Sequence, residues 1–108
     1  MLKGTIVENS LRDKSILENI EIVKTWKSDD WTLHEVRIMK DAAMRLAEYM
    51  DEGPWYIHFW QDGSDDILVV FKNKTYTIKG SDKRTWADCV KYGQSVGIPI
   101  EQLDFKIV

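Results

Sequence analysis

Two histidines, His34 and His58, and a single cysteine, Cys89, are the residues of this chain best able to do chemistry at neutral pH. An imidazole titrates near pH 7, so a pair of rings beside a tyrosine can serve general acid–base catalysis. Each histidine falls inside a segment of strand character. His34 shares a side of the pleat with Val36 and Ile38, and His58 shares one with Tyr56 and Trp60. If those strands are neighbours in register, both rings line one sheet-face pocket and His34 and His58 become the acid–base groups of a small enzyme. The alternative is a half-buried ring bonded to a neighbouring group, and spacing alone does not choose between the two. No catalytic residue is assigned beyond these candidates.

Other chemistries find less material. No Cys-x-x-Cys, His-x-x-x-His or His-Glu-x-x-His spacing occurs, so no metal ligand set is assigned and no cofactor is expected. Asp62-Gly63-Ser64-Asp65-Asp66 gathers three carboxylates but lacks the distal glutamate of a calcium loop, and Asp-Gly is a turn signal. Cys89 lies on an apolar helical stripe, where a thiol is inert. There is no Gly-x-Ser-x-Gly elbow, and the glycines of Gly93-Gln94-Ser95-Val96-Gly97 end a helix instead of opening a phosphate loop.

The aromatic residues lead further. Trp55-Tyr56-Ile57-His58-Phe59-Trp60 carries large rings on both sides of a strand. Trp55, Ile57 and Phe59 share one side; Tyr56, His58 and Trp60 share the other. One side packs on the helices. The other, left open, shows an aromatic patch of the kind that marks a partner, a second subunit or a ligand. Trp31, His34, Tyr56, His58 and Trp60 are the candidate ligand-binding set. The competing reading is that the chain covers this patch itself, as small domains often do.

The elements that must position these groups follow from periodicity and punctuation. Residues 4–7 read as a strand, residues 15–18 as a short helix after the capping residues Asn9, Ser10 and Asp13, and residues 20–26 and 31–38 as a hairpin around Lys27-Ser28-Asp29-Asp30. From Met39 the apolar spacing turns helical through Met50, and Gly53-Pro54 ends that helix. Residues 55–61, 66–72 and 75–79 form a meander turned at Asp62-Gly63-Ser64-Asp65 and at Asn73-Lys74. The run Ile67-Leu68-Val69-Val70-Phe71 is apolar on both faces, which marks a strand with cover on each side or with neighbours at a crowded edge of the core. Ser81 or Asp82 caps a last helix with the stripe Trp86, Cys89, Val90, Gly93 and Val96, ended by Gly97 and Pro99. Gly93 inside that stripe predicts close approach to the sheet, and Leu103, Phe105 and Ile107 a final extended segment. The order β-α-β-β-α-β-β-β-α, with short links, predicts a two-layer α+β fold: a mainly antiparallel sheet with helices on one face.

Several phrases occur together: Gly4-Thr5-Ile6-Val7-Glu8-Asn9-Ser10-Leu11, Trp31-Thr32-Leu33-His34, Trp55-Tyr56, Phe71-Lys72-Asn73-Lys74, Tyr92-Gly93-Gln94-Ser95-Val96-Gly97-Ile98-Pro99 and Gln102-Leu103-Asp104-Phe105. As a set they resemble a family of small, stand-alone bacterial and archaeal proteins without an assigned activity. The resemblance implies an intracellular, prokaryotic α+β protein and supplies no substrate.

Length and composition bound what remains. One domain spans all 108 residues, and a chain of this size buries roughly two-thirds of its unfolded surface, enough for a core without staples. Fifteen basic against 18 acidic residues give a net charge of −3, which disfavours nucleic acid as a partner. One cysteine allows no internal disulfide and points to a cytoplasmic setting. No stretch approaches the ~20 apolar residues of a membrane span, so no membrane partner is expected. The expectation is a small non-enzymatic interaction or ligand-binding module that associates with itself, as a homodimer, or with a protein partner through its aromatic sheet face. A small ligand is the other occupant considered. The histidine enzyme is the alternative.

Overall fold

A computed structural model describes residues 1–105. Six strands form one antiparallel sheet: β1 (Leu2–Val7), β2 (Glu21–Ser28), β3 (Trp31–Ile38), β4 (Ile57–Trp60), β5 (Asp66–Phe71) and β6 (Lys74–Lys79), in the order β2-β3-β1-β4-β5-β6. Two α-helices, α1 (Lys40–Tyr49) and α2 (Ala87–Ser95), complete an α+β fold. Ile107 lies outside the described residues.

The turns follow from residues that tolerate a left-handed backbone. Asp29 at φ 55° closes the β2–β3 hairpin and Asn73 at φ 59° closes β5–β6. Strands β3 and β4 both run antiparallel to β1, which lies between them, so β3, α1 and β4 make a crossover around the central strand. The short helix expected over residues 15–18 winds as a 3-10 helix (Lys14–Asn19), which Asp13 caps by accepting from the Ser15 N–H and hydroxyl. So short a segment gains little from α geometry.

The helices do not share a face. Ala43, Leu46 and Ala47 of α1 pack with Ile6, Val36, Ile38, Ile57, Phe59, Leu68 and Val70 on one side of the sheet. On the other, Cys89 of α2 packs with Ile67, Val69, Phe71 and Ile78, joined by Trp86, Ile98, Leu103 and Phe105. The cause is β5: Ile67, Leu68, Val69, Val70 and Phe71 are all buried, so both its faces need cover. Gly93 differs from expectation too. A Cβ there would lie 2.7 Å from Leu103 Cδ2, so its bare backbone admits the C-terminal segment and not the sheet.

That layout leaves the β2–β3–β1 half of the second face to solvent. Opposed residues across its strands place Glu21 against Arg37, Lys24 against Glu35, and Trp26 against Leu33. Opposite charges facing one another are what a wet sheet face favours. The outer strand β2 carries a bulge between Ile22 and Lys24 and the exposed lysines Lys24 and Lys27, features that resist pairing with another strand.

Gly4 is the tightest point in the sheet. The Phe59 ring lies over it, and a Cβ would meet Phe59 Cδ1 at 2.5 Å and the His58 carbonyl oxygen at 2.8 Å. The carbonyl is fixed by the ladder and cannot swing away. Gly4→Ala should therefore cost at least about 2 kcal/mol in urea unfolding. Gly93→Ala should cost less, because Leu103 is a flexible side chain on a terminal segment. Equal losses at the two sites would contradict this.

Candidate functional site

The two histidines are on opposite faces of the sheet. His34 faces the α1 side, opposite Ile6 of β1 and Thr25 of β2. His58 alternates with Ile57 and Phe59, which face α1, and so points to the α2 side. No pocket can bring the two rings together, and the paired acid–base arrangement is not formed.

His34 is 6% exposed and hydrogen-bonded at both nitrogens. Its Nε2 lies 3.1 Å from Glu8 Oε1 and its Nδ1 lies 2.8 Å from Thr25 Oγ1. A carboxylate only accepts, so Nε2 carries the proton and, in the neutral ring, the Thr25 hydroxyl donates to Nδ1. Hydroxyl, imidazole and carboxylate stand in the order of a hydrolytic triad. They line neither the hollows at the end of the sheet nor the one on its open half, however. The arrangement fastens β2 and β3 to the turn after β1, where Ser10 donates to the Val7 carbonyl at 2.6 Å.

Tyr56, His58 and Trp60 do form a line of rings on the α2 side, with centroids 6.1 Å apart for Tyr56–His58 and 5.4 Å for His58–Trp60. The C-terminal segment covers that line. The Phe105 ring lies 5.3 Å from Tyr56, 6.0 Å from His58 and 5.2 Å from Trp86, and the Tyr56 hydroxyl donates to the Gln102 carbonyl. Trp60 is 8% exposed. The aromatic face expected to be open for a second copy is therefore covered by the chain itself. Burying rings under Phe105 and Leu103 costs less than leaving them wet.

Trp31, the fifth residue of the expected set, sits apart at one end of the sheet, its ring centroid 5.4 Å from that of Trp55. Here three connections meet. Helix α1 stops at Tyr49, before the expected Gly53-Pro54; Gly53, at φ 121°, and Pro54 turn the connection that follows it, and the Trp55 N–H bonds back to the Gly53 carbonyl at 2.9 Å. The β5–β6 turn is tied to α1 by the Asn73 N–H on the Ala47 carbonyl at 2.9 Å and by Lys72 Nζ on the Met50 carbonyl at 3.0 Å. From α2, Tyr92 brings its ring to 5.0 Å from Phe71 and 5.9 Å from Tyr76. Between them lies a cleft of about 370 Å³, walled by Trp55, Phe71, Tyr92 and Val96 and edged by Glu52, Lys72 and Asn73. A second, shallower hollow of about 450 Å³ adjoins it across Tyr92, with Lys74, Tyr76, Asp88 and Lys91 around it. The Trp55 indole N–H and the Asn73 side-chain amide make no hydrogen bond among the described residues. Apolar walls with a few uncommitted polar groups are the make-up of a ligand site.

A further hollow of about 210 Å³ lies on the open half of the sheet between Lys3, Glu35, Arg37 and Trp60. Lys3 bonds Asp62 there at 2.6 Å, and Arg37 and Glu35 lie opposite Glu21 and Lys24 in the register. Lys3 holds the Asp62 carboxyl below its usual range. Asp65 accepts from the Ser81 N–H and hydroxyl, and Asp66 pairs with Lys79, so the three carboxylates of this turn serve protein donors.

Sequence reasoning missed Trp55, Phe71, Asn73 and Tyr92 as one set, since each belongs to a different element. The signals were the ring placed directly after Gly53-Pro54 and the asparagine in a two-residue turn.

Thr25→Val should destabilise the fold by about 1 kcal/mol, the size of a typical lost hydrogen bond. Glu8→Gln, which keeps an accepting oxygen, should cost less than Glu8→Ala in the same denaturant series. Burial pushes the Cys89 thiol up to about 12. The folded chain thus keeps its proton where an unfolded thiol, with its ordinary value of 9.0, has lost it. That contribution to stability is fully present below pH 9 and lost as pH rises toward 12. Iodoacetamide at pH 8 should label Cys89 only after denaturant is added; rapid labelling of the native chain would contradict the burial. Comparison with protein-family models, with curated proteins and with solved structures finds no match.

Proposed function

We propose that this protein is a non-enzymatic binding module whose ligand occupies the aromatic cleft at the end of the sheet. The observation that carries this reading is the convergence of Trp55 from the α1–β4 connection, Phe71 from the end of β5 and Tyr92 from α2 around a cleft of about 370 Å³, within the size range of small-molecule and peptide sites. A core needs those rings buried; here Trp55 and Tyr92 remain half-exposed. The cleft is also rigidly built, since backbone and lysine hydrogen bonds tie the β5–β6 turn to α1, and a pre-formed site loses little entropy on binding.

Titration of the full chain with a set of small aromatic and amide fragments, followed by backbone amide NMR shifts, tests the reading. Shifts should concentrate at Gly53, Trp55, Asn73 and Tyr92, and Tyr92→Ala should reduce them. Shifts confined to Lys3, Glu35 and Arg37, or none at all, would overturn it.

A further inference from the structure

Resting on that cleft as the binding site, we infer that its occupant is a proline-containing peptide segment flanked by acidic residues, bound in the polyproline II conformation. The cleft and the adjoining hollow share Tyr92 as a common ridge, which makes a trough along the sheet end instead of a closed chamber. A trough is matched by an extended ligand. Its ridges are the rings of Trp55, Tyr92 and Tyr76, and pyrrolidine rings pack between such aromatic ridges. The Trp55 indole N–H has no partner among the described residues. A polyproline II segment has no internal hydrogen bonds, so its carbonyls are free to accept from that donor, and it loses little entropy on docking.

Charge points the same way. Lys72, Lys74 and Lys91 outnumber Glu52 and Asp88 around the trough, in a chain whose net charge is −3. Lys74 lies over the rings of Tyr76 and Tyr92, 5.5 and 5.9 Å from their centroids.

The test titrates the full chain, by tryptophan fluorescence and calorimetry, with an oligoproline peptide bearing glutamates at both ends. The controls are the same peptide with alanine for proline, the same peptide with lysine for glutamate, and oligothymidylate. The first peptide should bind saturably with a Kd on the order of tens of micromolar, and each control should bind roughly tenfold more weakly or not at all. Trp55→Phe, which keeps a ring and deletes the N–H, should weaken the first peptide by roughly tenfold. Lys91→Glu, at an exposed position away from the core, should weaken it without altering the circular dichroism spectrum. Equal binding of the alanine peptide, or tighter binding of oligothymidylate, overturns the inference. So does the absence of peptide binding while fragments still perturb Trp55 and Asn73, in which case the cleft stands as a site for small ligands. If neither peptide nor fragments perturb the cleft, the binding reading falls with it.

Discussion

Five consecutive apolar side chains, Ile67 to Phe71, cannot be kept from water by a single layer of helix, because alternate residues of a strand point to opposite faces. All five are buried. Each such side chain contributes roughly 1.5–3 kcal/mol when fully buried, so the chain cannot leave either face of β5 open. The rest of the architecture answers that demand. The crossover between β3 and β4 lays α1 over Leu68 and Val70, and the polypeptide leaving β6 folds α2, Trp86 and the Leu103–Phe105 segment over Ile67, Val69 and Phe71.

Much of this could be read from residues. The order of strands and helices follows from the period changes at Met39 and Gly53 and from turn residues such as Asn73 and Gly97, whose positive φ values are 59° and 95°. The two-sided character of β5 was equally plain. What could not be read was which face each helix takes. The apolar stripes of α1 and α2 are alike in kind, and α2 follows an edge strand, so no local rule assigns its side; only the summed apolar area of β5 does. The same gap misplaced the aromatic surface. Tyr56, His58 and Trp60 share a side as their spacing requires, but whether that side is open depends on Phe105, more than 40 residues away in the sequence. His34 is buried and hydrogen-bonded at both nitrogens, and its partners Glu8 and Thr25 come from different strands and turns and leave no trace in spacing.

The covered and uncovered parts of the sheet also differ in composition for a physical reason. Where helices lie, the strands are apolar. Where they do not, Glu21, Arg37, Lys24 and Glu35 oppose one another with alternating sign, so the wet face is close to electrically neutral, with Val23 exposed and the Trp26–Leu33 pair half-buried among the charges. The bulge in β2 disposes of its edge. At the other edge Lys79 gives its N–H to Thr85 and its carbonyl to the Trp86 indole N–H, which closes off that end of β6.

With faces covered or charge-paired and edges blunted, one end of the sheet is where half-buried rings gather around a cleft. Helix α2 has nine residues, about 14 Å of rise, while β5 has six, about 20 Å. A helix shorter than the strand beneath it can seal one end of the sheet but not both. At the far end α2 finishes with Tyr92 and Val96, and the connections carrying Trp55 and Asn73 close in without filling the space. The aromatic rings gathered there follow from the same excess of apolar sequence that forced two-sided cover on β5. The half-exposed Trp55 and Tyr92 belong to that excess, and the ligand proposed for the cleft would complete the enclosure begun by the fold.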